Sequence, residues 1–276
     1  MQFTDGFWQP RAGVTPLFAQ QVHDVWAEGD VLRVFAPTHQ VARRSDTLNR
    51  PLLTVTISSP LENVIRVQVD HFQGGAEKVT FGMPGEKQGV ADVTVEETRG
   101  VLRSGELSAT VIKGHAWSLS FDAGKRHLTS SGSKSLGYMM LDNGERYIHE
   151  QLELGVGELV YGLGERFGPL VKNGQTVDIW NADGGTSSYQ AYKNVPFYLT
   201  NRGYGVLVDN PGRVSFEVGS ESVERVQFSA GGESLEYLVI YGPTPKNILE
   251  RYTALTGRPA RVPAWSYGLW LSTSFT

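Results

Sequence analysis

The stretch Trp180 to Thr200, WNADGGTSSYQAYKNVPFYLT, sets one carboxylate, Asp183, in a loop rich in Gly, Ser and Asn. A carboxylate offers several acceptor sites in a fixed plane, which suits recognition of neighbouring hydroxyl groups. Asp183 before Gly184 is also a common turn pair, so residue type alone leaves a turn role and a ligand role open. Trp180, Tyr189 and Tyr192 read as the packing of the loop itself, since a compact loop needs a small core of its own. In YGLGERF, Glu165 and Arg166 look like a matched acid and base, and the reading preferred for them is structural, holding a turn or docking this domain against a neighbouring one. Glu96 and Glu97 are adjacent on an expected strand, so they face opposite ways and do not act together. His23, His39, His71, His115, His127 and His149 are scattered, and none lies in a motif that ties it to a catalytic carboxylate. Cysteine is absent, which excludes disulfides and thiolate metal sites, and no metal or cofactor is expected.

These side chains need a scaffold, and the chain is long enough to build a large one: 276 residues, 40% hydrophobic. A net charge of -4 and an isoelectric point near 5.9, without a basic run, argue against nucleic-acid partners. MQFTDGFWQP lacks the apolar core of a signal peptide and no run is long enough to span a bilayer, so no membrane partner and a cytoplasmic location are expected.

Period-two alternation dominates. Ile65, Val67 and Val69 alternate with Arg66, Gln68 and Asp70, and the same spacing fits Leu52 to Ile57, Val93 with Val95, Leu107 with Ala109 and Val111, and Trp117 with Leu119 and Phe121. Val214, Phe216 and Val218 alternate with polar residues, followed by Val226 with Phe228 and by Leu235, Tyr237 and Val239. DNGE at 142–145 and AGGE at 230–233 supply the positive φ that tight hairpins need. Many short antiparallel strands with almost no helix between them predict sandwiched sheets. One helix is expected: Thr244 as cap, Pro245 at the first position, Ile248, Leu249, Tyr252 and Leu255 at helical spacing, and Gly257 as the stop. After two prolines, Pro259 and Pro263, comes an apolar, strand-like run with Trp265, Tyr267, Leu269, Trp270, Leu271 and Phe275, too apolar for a solvated tail.

VGELVYGLGERFGPLVKNGQTVDIWNADGGTSSYQAYKNVPFYLTNRGYGVLV, followed by GPTP and PAWSYGLWLSTSF, resembles the N-terminal part of family 31 glycoside hydrolases, especially the alpha-xylosidase branch. The resemblance spans essentially the whole chain. It implies an all-β fold: a galactose-mutarotase-like β-supersandwich over 1–243, a short helix over 244–257, and over 258–276 a linker and the truncated start of a (β/α)8 barrel. Retaining glycosidases use two carboxylates about 5 to 5.5 Å apart. The resemblance places both on barrel strands beyond Thr276, so no catalytic residue is assigned within this chain. It also implies that the 173–194 segment reaches over the barrel opening, that Asp183 lines the sugar subsite, and that Phe275 forms part of the pocket wall. Ala182 stands where the pattern commonly has arginine, which puts the anchoring of the loop in question.

The implied function is that of the N-terminal domain of a retaining alpha-glycosidase. Its partners would be a carbohydrate with alpha-linked xylose or glucose, the catalytic barrel of the same parent chain and, given the apolar tail, a further copy in a homo-oligomer. The alternative is a stand-alone carbohydrate-binding β-sandwich module without catalysis. A mutarotase-like epimerase shares the fold but would need a histidine acid and a glutamate base in one cleft.

Overall fold

The computed structural model describes residues 1–5, 9–72, 74, 82–114, 116–182 and 190–271. Among these residues, nineteen strands form three antiparallel sheets. The eight-stranded sheet runs, in spatial order, Val160–Gly162, Phe197–Thr200, Tyr204–Val208, Ser234–Tyr241, Val64–Asp70, Leu52–Leu61, Val31–Pro37 and Asp24–Glu28. One of its faces carries Leu53, Val55, Ile57, Ile65, Val67 and Val69, all fully buried in the main core. Alternation therefore does here what period two dictates, sending one set of aliphatic side chains inward.

Two smaller sheets cover that face. The six-stranded sheet has the order Val14–Phe18, Gly137–Leu141, Arg146–Glu153, Arg225–Gly231, Val214–Val218 and Gln175–Ile179. The five-stranded sheet has the order Arg126–Ser131, Leu119–Ala123, Leu107–Ile112, Arg99–Ser104 and Asp92–Val95. A single cluster of buried side chains draws on all three sheets, so the core is continuous.

The helix, α1 (Pro245–Thr256), packs on the other face of the eight-stranded sheet. Thr244 Oγ1 accepts from the Asn247 N–H at 3.3 Å, and Gly257 ends the helix with φ +106°. Ile248 and Leu255 are buried against Val64, Leu207, Leu238 and Ile240. Tyr252 stacks on Phe197 with ring centroids 4.2 Å apart.

Two local expectations change. Gly232 in AGGE does have a positive φ of +109°, but its turn carries the chain from the six-stranded to the eight-stranded sheet and closes no hairpin. The next residue, Glu233, fastens this crossover by accepting from the Tyr138 hydroxyl at 2.8 Å and contacting His71 Nδ1 at 2.5 Å. Glu96 and Glu97 lie past the end of the strand Asp92–Val95, in the turn before Arg99, where Glu96 accepts from Arg99 at 2.9 and 3.0 Å.

Candidate functional site

The strand Gln175–Ile179 is the edge of the six-stranded sheet, and it runs straight into the loop that carries Asp183. Residues 183–189, and with them Asp183 and Tyr189, lie outside the described residues, as does Phe275. The structure instead defines how the loop is held at its neck.

Three carbonyl groups converge there on one guanidinium. Arg166 Nε donates to Leu163 O at 3.0 Å, and Nη2 donates to Asp178 O at 2.7 Å and to Asn194 Oδ1. Asn194 continues the network: its Nδ2 donates to Trp180 O at 2.9 Å, Asn181 Oδ1 at 3.0 Å and Ala191 O at 2.7 Å. Asn181 and Ala191 form a parallel bridge, and the Ala182 N–H donates to Ala191 O at 3.1 Å. Arg166 thus ties the strand before the loop, the segment that returns from it and the YGLGERF turn into one unit. Burial lowers its guanidinium from the ordinary value, with the neighbouring Asp178 opposing.

YGLGERF folds this way because its glycines permit it. Gly164 has φ +88°, and a Cβ there would stand 2.2 Å from Lys193 O, so a side chain would push the returning strand of the loop away. Leu163 also has a positive φ, +65°, uncommon for a residue with a side chain. Glu165 joins the neck through its main chain, its N–H donating to Lys193 O at 2.9 Å. Its side chain is 77% exposed, 3.8 Å from an equally exposed Lys193, and such a pair contributes little.

The loop aromatics differ from expectation. Trp180 is 58% and Tyr192 65% exposed, so neither supplies a buried core. Hydrogen bonds from Arg166 and Asn194 hold the neck, with the Trp180 carbonyl among their acceptors. A cavity of about 300 Å³ opens beside it, lined by Trp180, Asn181, Asn194, Pro196 and Asn210.

At the other end of the chain, the expected strand-like run holds no strand among its described residues. Ala264–Tyr267 form a 3-10 turn, and Trp265, Tyr267, Leu269, Trp270 and Leu271 are each more than three-quarters exposed. A strand needs a partner for its backbone groups, and no sheet of the described residues offers one to this segment.

Two ionisable side chains are buried next to each other in sequence and on opposite faces of the strand Arg146–Glu153. Glu150 faces the core and accepts from Ser131 Oγ at 2.6 Å, the Gln151 N–H at 2.9 Å and the Tyr237 hydroxyl at 3.2 Å. Burial outweighs these bonds and pushes its carboxyl up to about 7. His149 faces the other way, between Phe3 and Phe18, and burial pushes its imidazole down to about 3. Among the described residues, no group of three or more His, Asp or Glu is arranged to hold a metal ion, and no helix is long and apolar enough to cross a membrane.

Residues 54–217 match the family described as the glycosyl hydrolase 31 N-terminal galactose mutarotase-like domain. The chain belongs to this family. It is 46% identical over 277 residues to the alpha-xylosidase XylQ of Lactiplantibacillus pentosus, covering 100% of this chain and 36% of that protein. It is 42% identical over 297 residues to an alpha-xylosidase of Emericella nidulans, covering 100% of this chain and 38% of that protein. The chain therefore spans a little over a third of the length of these relatives. The same fold occurs in the cycloalternan-forming enzyme of Listeria monocytogenes, with a TM-score of 0.77 and 19% identity over 93% of this chain and 24% of that one. The sandwich is thus a family 31 N-terminal domain.

Sequence reasoning assigned Arg166 a structural part without its partners, and it passed over Asn194. The signal for Asn194 was weak: one amide in AYKNVPFY, with nothing to show that its acceptors would come from thirteen residues upstream.

Proposed function

We propose that this domain belongs to a retaining alpha-glycosidase that hydrolyses alpha-xylosides or related alpha-glucosides, and that its 180–200 loop walls the substrate pocket. The observation that carries the reading is the match to two alpha-xylosidases over the full length of the chain. In this reading, residues 258–276 form the linker and first strand of the catalytic barrel, which covers the exposed Trp265, Tyr267 and Trp270. The nucleophile and the acid/base, about 5 to 5.5 Å apart, are carboxylates of that barrel. Asp183 accepts hydrogen bonds from sugar hydroxyls, and Phe275 lies against the C–H face of the pyranose.

The neck supports this division of labour. A pocket wall serves catalysis only if it holds its place while the sugar changes shape, and Arg166 holds Asp178 and Asn194 on the two sides of the neck while Asn194 holds Trp180. The test is kinetic, on the full-length protein with p-nitrophenyl alpha-xyloside and alpha-glucoside. Asp183→Ala is expected to lower kcat/KM by about 1 to 3 kcal/mol of transition-state stabilisation, the scale of a charge-assisted hydrogen bond. Unchanged efficiency on both substrates would reduce Asp183 to a turn former.

A further inference from the structure

The outer face of the six-stranded sheet is polar, yet much of it is buried. Strand register sets two rows of side chains across it: Asp178, Ser215, Ser229 and His149 in one, and Thr176, Glu217, Gln227 and Gln151 in the other. His149, Glu217, Gln227 and Ser229 are each no more than 2% exposed. An outer sheet face that follows simple alternation would be wet. Here it is covered by the chain's own first residues. Phe3 is fully buried with its ring centroid 5.7 Å from that of His149.

The strap Met1–Thr4 is held chiefly by one carboxylate. Glu221 accepts from the Phe3 N–H at 3.1 Å, the Thr4 N–H at 2.8 Å, Thr4 Oγ1 at 2.5 Å and Gln227 Nε2 at 2.7 Å. Beside the strap, a cavity of about 650 Å³ remains open, with Tyr147, Thr176, Asp178, Ser215, Glu217 and Ser229 among its walls. Its volume is in the range of small-molecule sites, roughly 300 to 1,000 Å³.

We propose that this cleft is a binding site for a neutral polyhydroxylated small molecule of monosaccharide size, and that Met1–Thr4 is the strap that limits access to its inner half.

Charge selects the ligand class. Arg213 is paired with Asp178 at 2.6 Å, Arg11 with Asp5 at 2.8 Å, and Glu217 with the Met1 nitrogen at 2.9 Å. Among the described residues that line the cleft, each charged group is thus paired, which favours neither an anion nor a cation. What the walls do offer is alternating hydroxyl, amide and carboxylate groups, a set that matches vicinal hydroxyls, together with the Tyr147 ring as an apolar platform. Unmet demand selects the inner half. In the two rows, His149 Nε2 and Gln151 Oε1 are buried with no hydrogen-bond partner among the described residues. Buried polar atoms seldom stay unpartnered in a folded protein. A ligand hydroxyl that reaches the row of Glu217 and Gln227 would give Gln151 Oε1 a partner.

The experiment is amide chemical-shift mapping on the 276-residue chain, titrated separately with D-xylose, D-glucose, myo-inositol and inorganic sulfate. Saturable shifts from at least one of the three polyols are expected at Ser215 to Glu217 and Gln227 to Ser229, with dissociation constants on the order of millimolar. Glu221→Ala, which frees the strap, is expected to tighten binding by about tenfold. Ser229→Trp, which fills the cavity, is expected to abolish it; should that variant not fold, the shift map of the unaltered chain decides. No saturable shift with any polyol, in the unaltered chain and in Glu221→Ala alike, would overturn the proposal. So would shifts confined to the 180–200 loop neck, or sulfate binding at the cleft in preference to the polyols. Because the readout involves no hydrolysis, it stands or falls separately from the glycosidase reading.

Discussion

Arg166 illustrates why a charged residue in a conspicuous motif need not touch substrate. Among the described residues it donates to two main-chain carbonyls and one amide oxygen, on three different segments. Removing the guanidinium leaves those acceptors without a donor, so Arg166→Ala is expected to cost about 2 to 3 kcal/mol in urea unfolding. Arg166→Lys should recover less than half, because one ammonium does not span the three directions of a planar fork. Glu150 and His149 carry opposite pH dependences. The Glu150 carboxyl titrates near 4.5 when unfolded and at about 7 when folded, so its contribution to stability falls as pH rises through that window. The His149 imidazole titrates near 6.5 unfolded and about 3 folded, so its contribution falls as pH drops through that window. Between pH 4.5 and 6.5 the two slopes, each about 1.4 kcal/mol per pH unit, cancel. Glu150→Gln removes one of them. Its stability should climb with pH over that range and exceed that of the unaltered protein by up to about 3 kcal/mol at pH 8, as read by denaturant midpoints. A parallel, flat pair of curves would contradict the placement of Glu150.

Among the elements, α1 was the most legible in the sequence, because its signals are local: Thr244, Pro245 and Gly257 mark its ends, and 3.6-residue spacing marks its face. The inward faces of the strands were equally plain, since Ile65, Val67 and Val69 go where alternation sends them. What alternation could not reveal was the fate of polar partners such as Ser215, Glu217 and Gln227. Their burial depends on Met1–Thr4, more than 200 residues away in sequence, and period two carries no information about a cover from so far off. The AGGE turn was ambiguous for a related reason: a positive φ serves a hairpin and a sheet-to-sheet crossover equally well. At this scale, Ile248→Ala should cost about 3 kcal/mol, because it empties the contact between α1 and the eight-stranded sheet. Hydrogen exchange is expected to show α1 opening ahead of the strands beneath it.

For the molecule as a whole, the family and the sandwich were readable from ordered motifs spread along the chain, whereas Asp183 and Phe275 rest on resemblance to that family and lie outside the described residues. The three sheets supply the frame, Arg166 and Asn194 hold the two sides of the loop's neck together, and the proposed barrel supplies the chemistry. That division predicts how the parts behave when separated. The direct test is to incubate the purified 276-residue chain with p-nitrophenyl alpha-xyloside beside the full-length protein. The expected result is release of nitrophenol by the full-length protein and none by the chain alone, because a pocket wall without the two barrel carboxylates has no route to a glycosyl intermediate. Turnover by the chain at the rate of the full-length protein, persisting through repurification, would contradict the account and place the catalytic acids within residues 1–276.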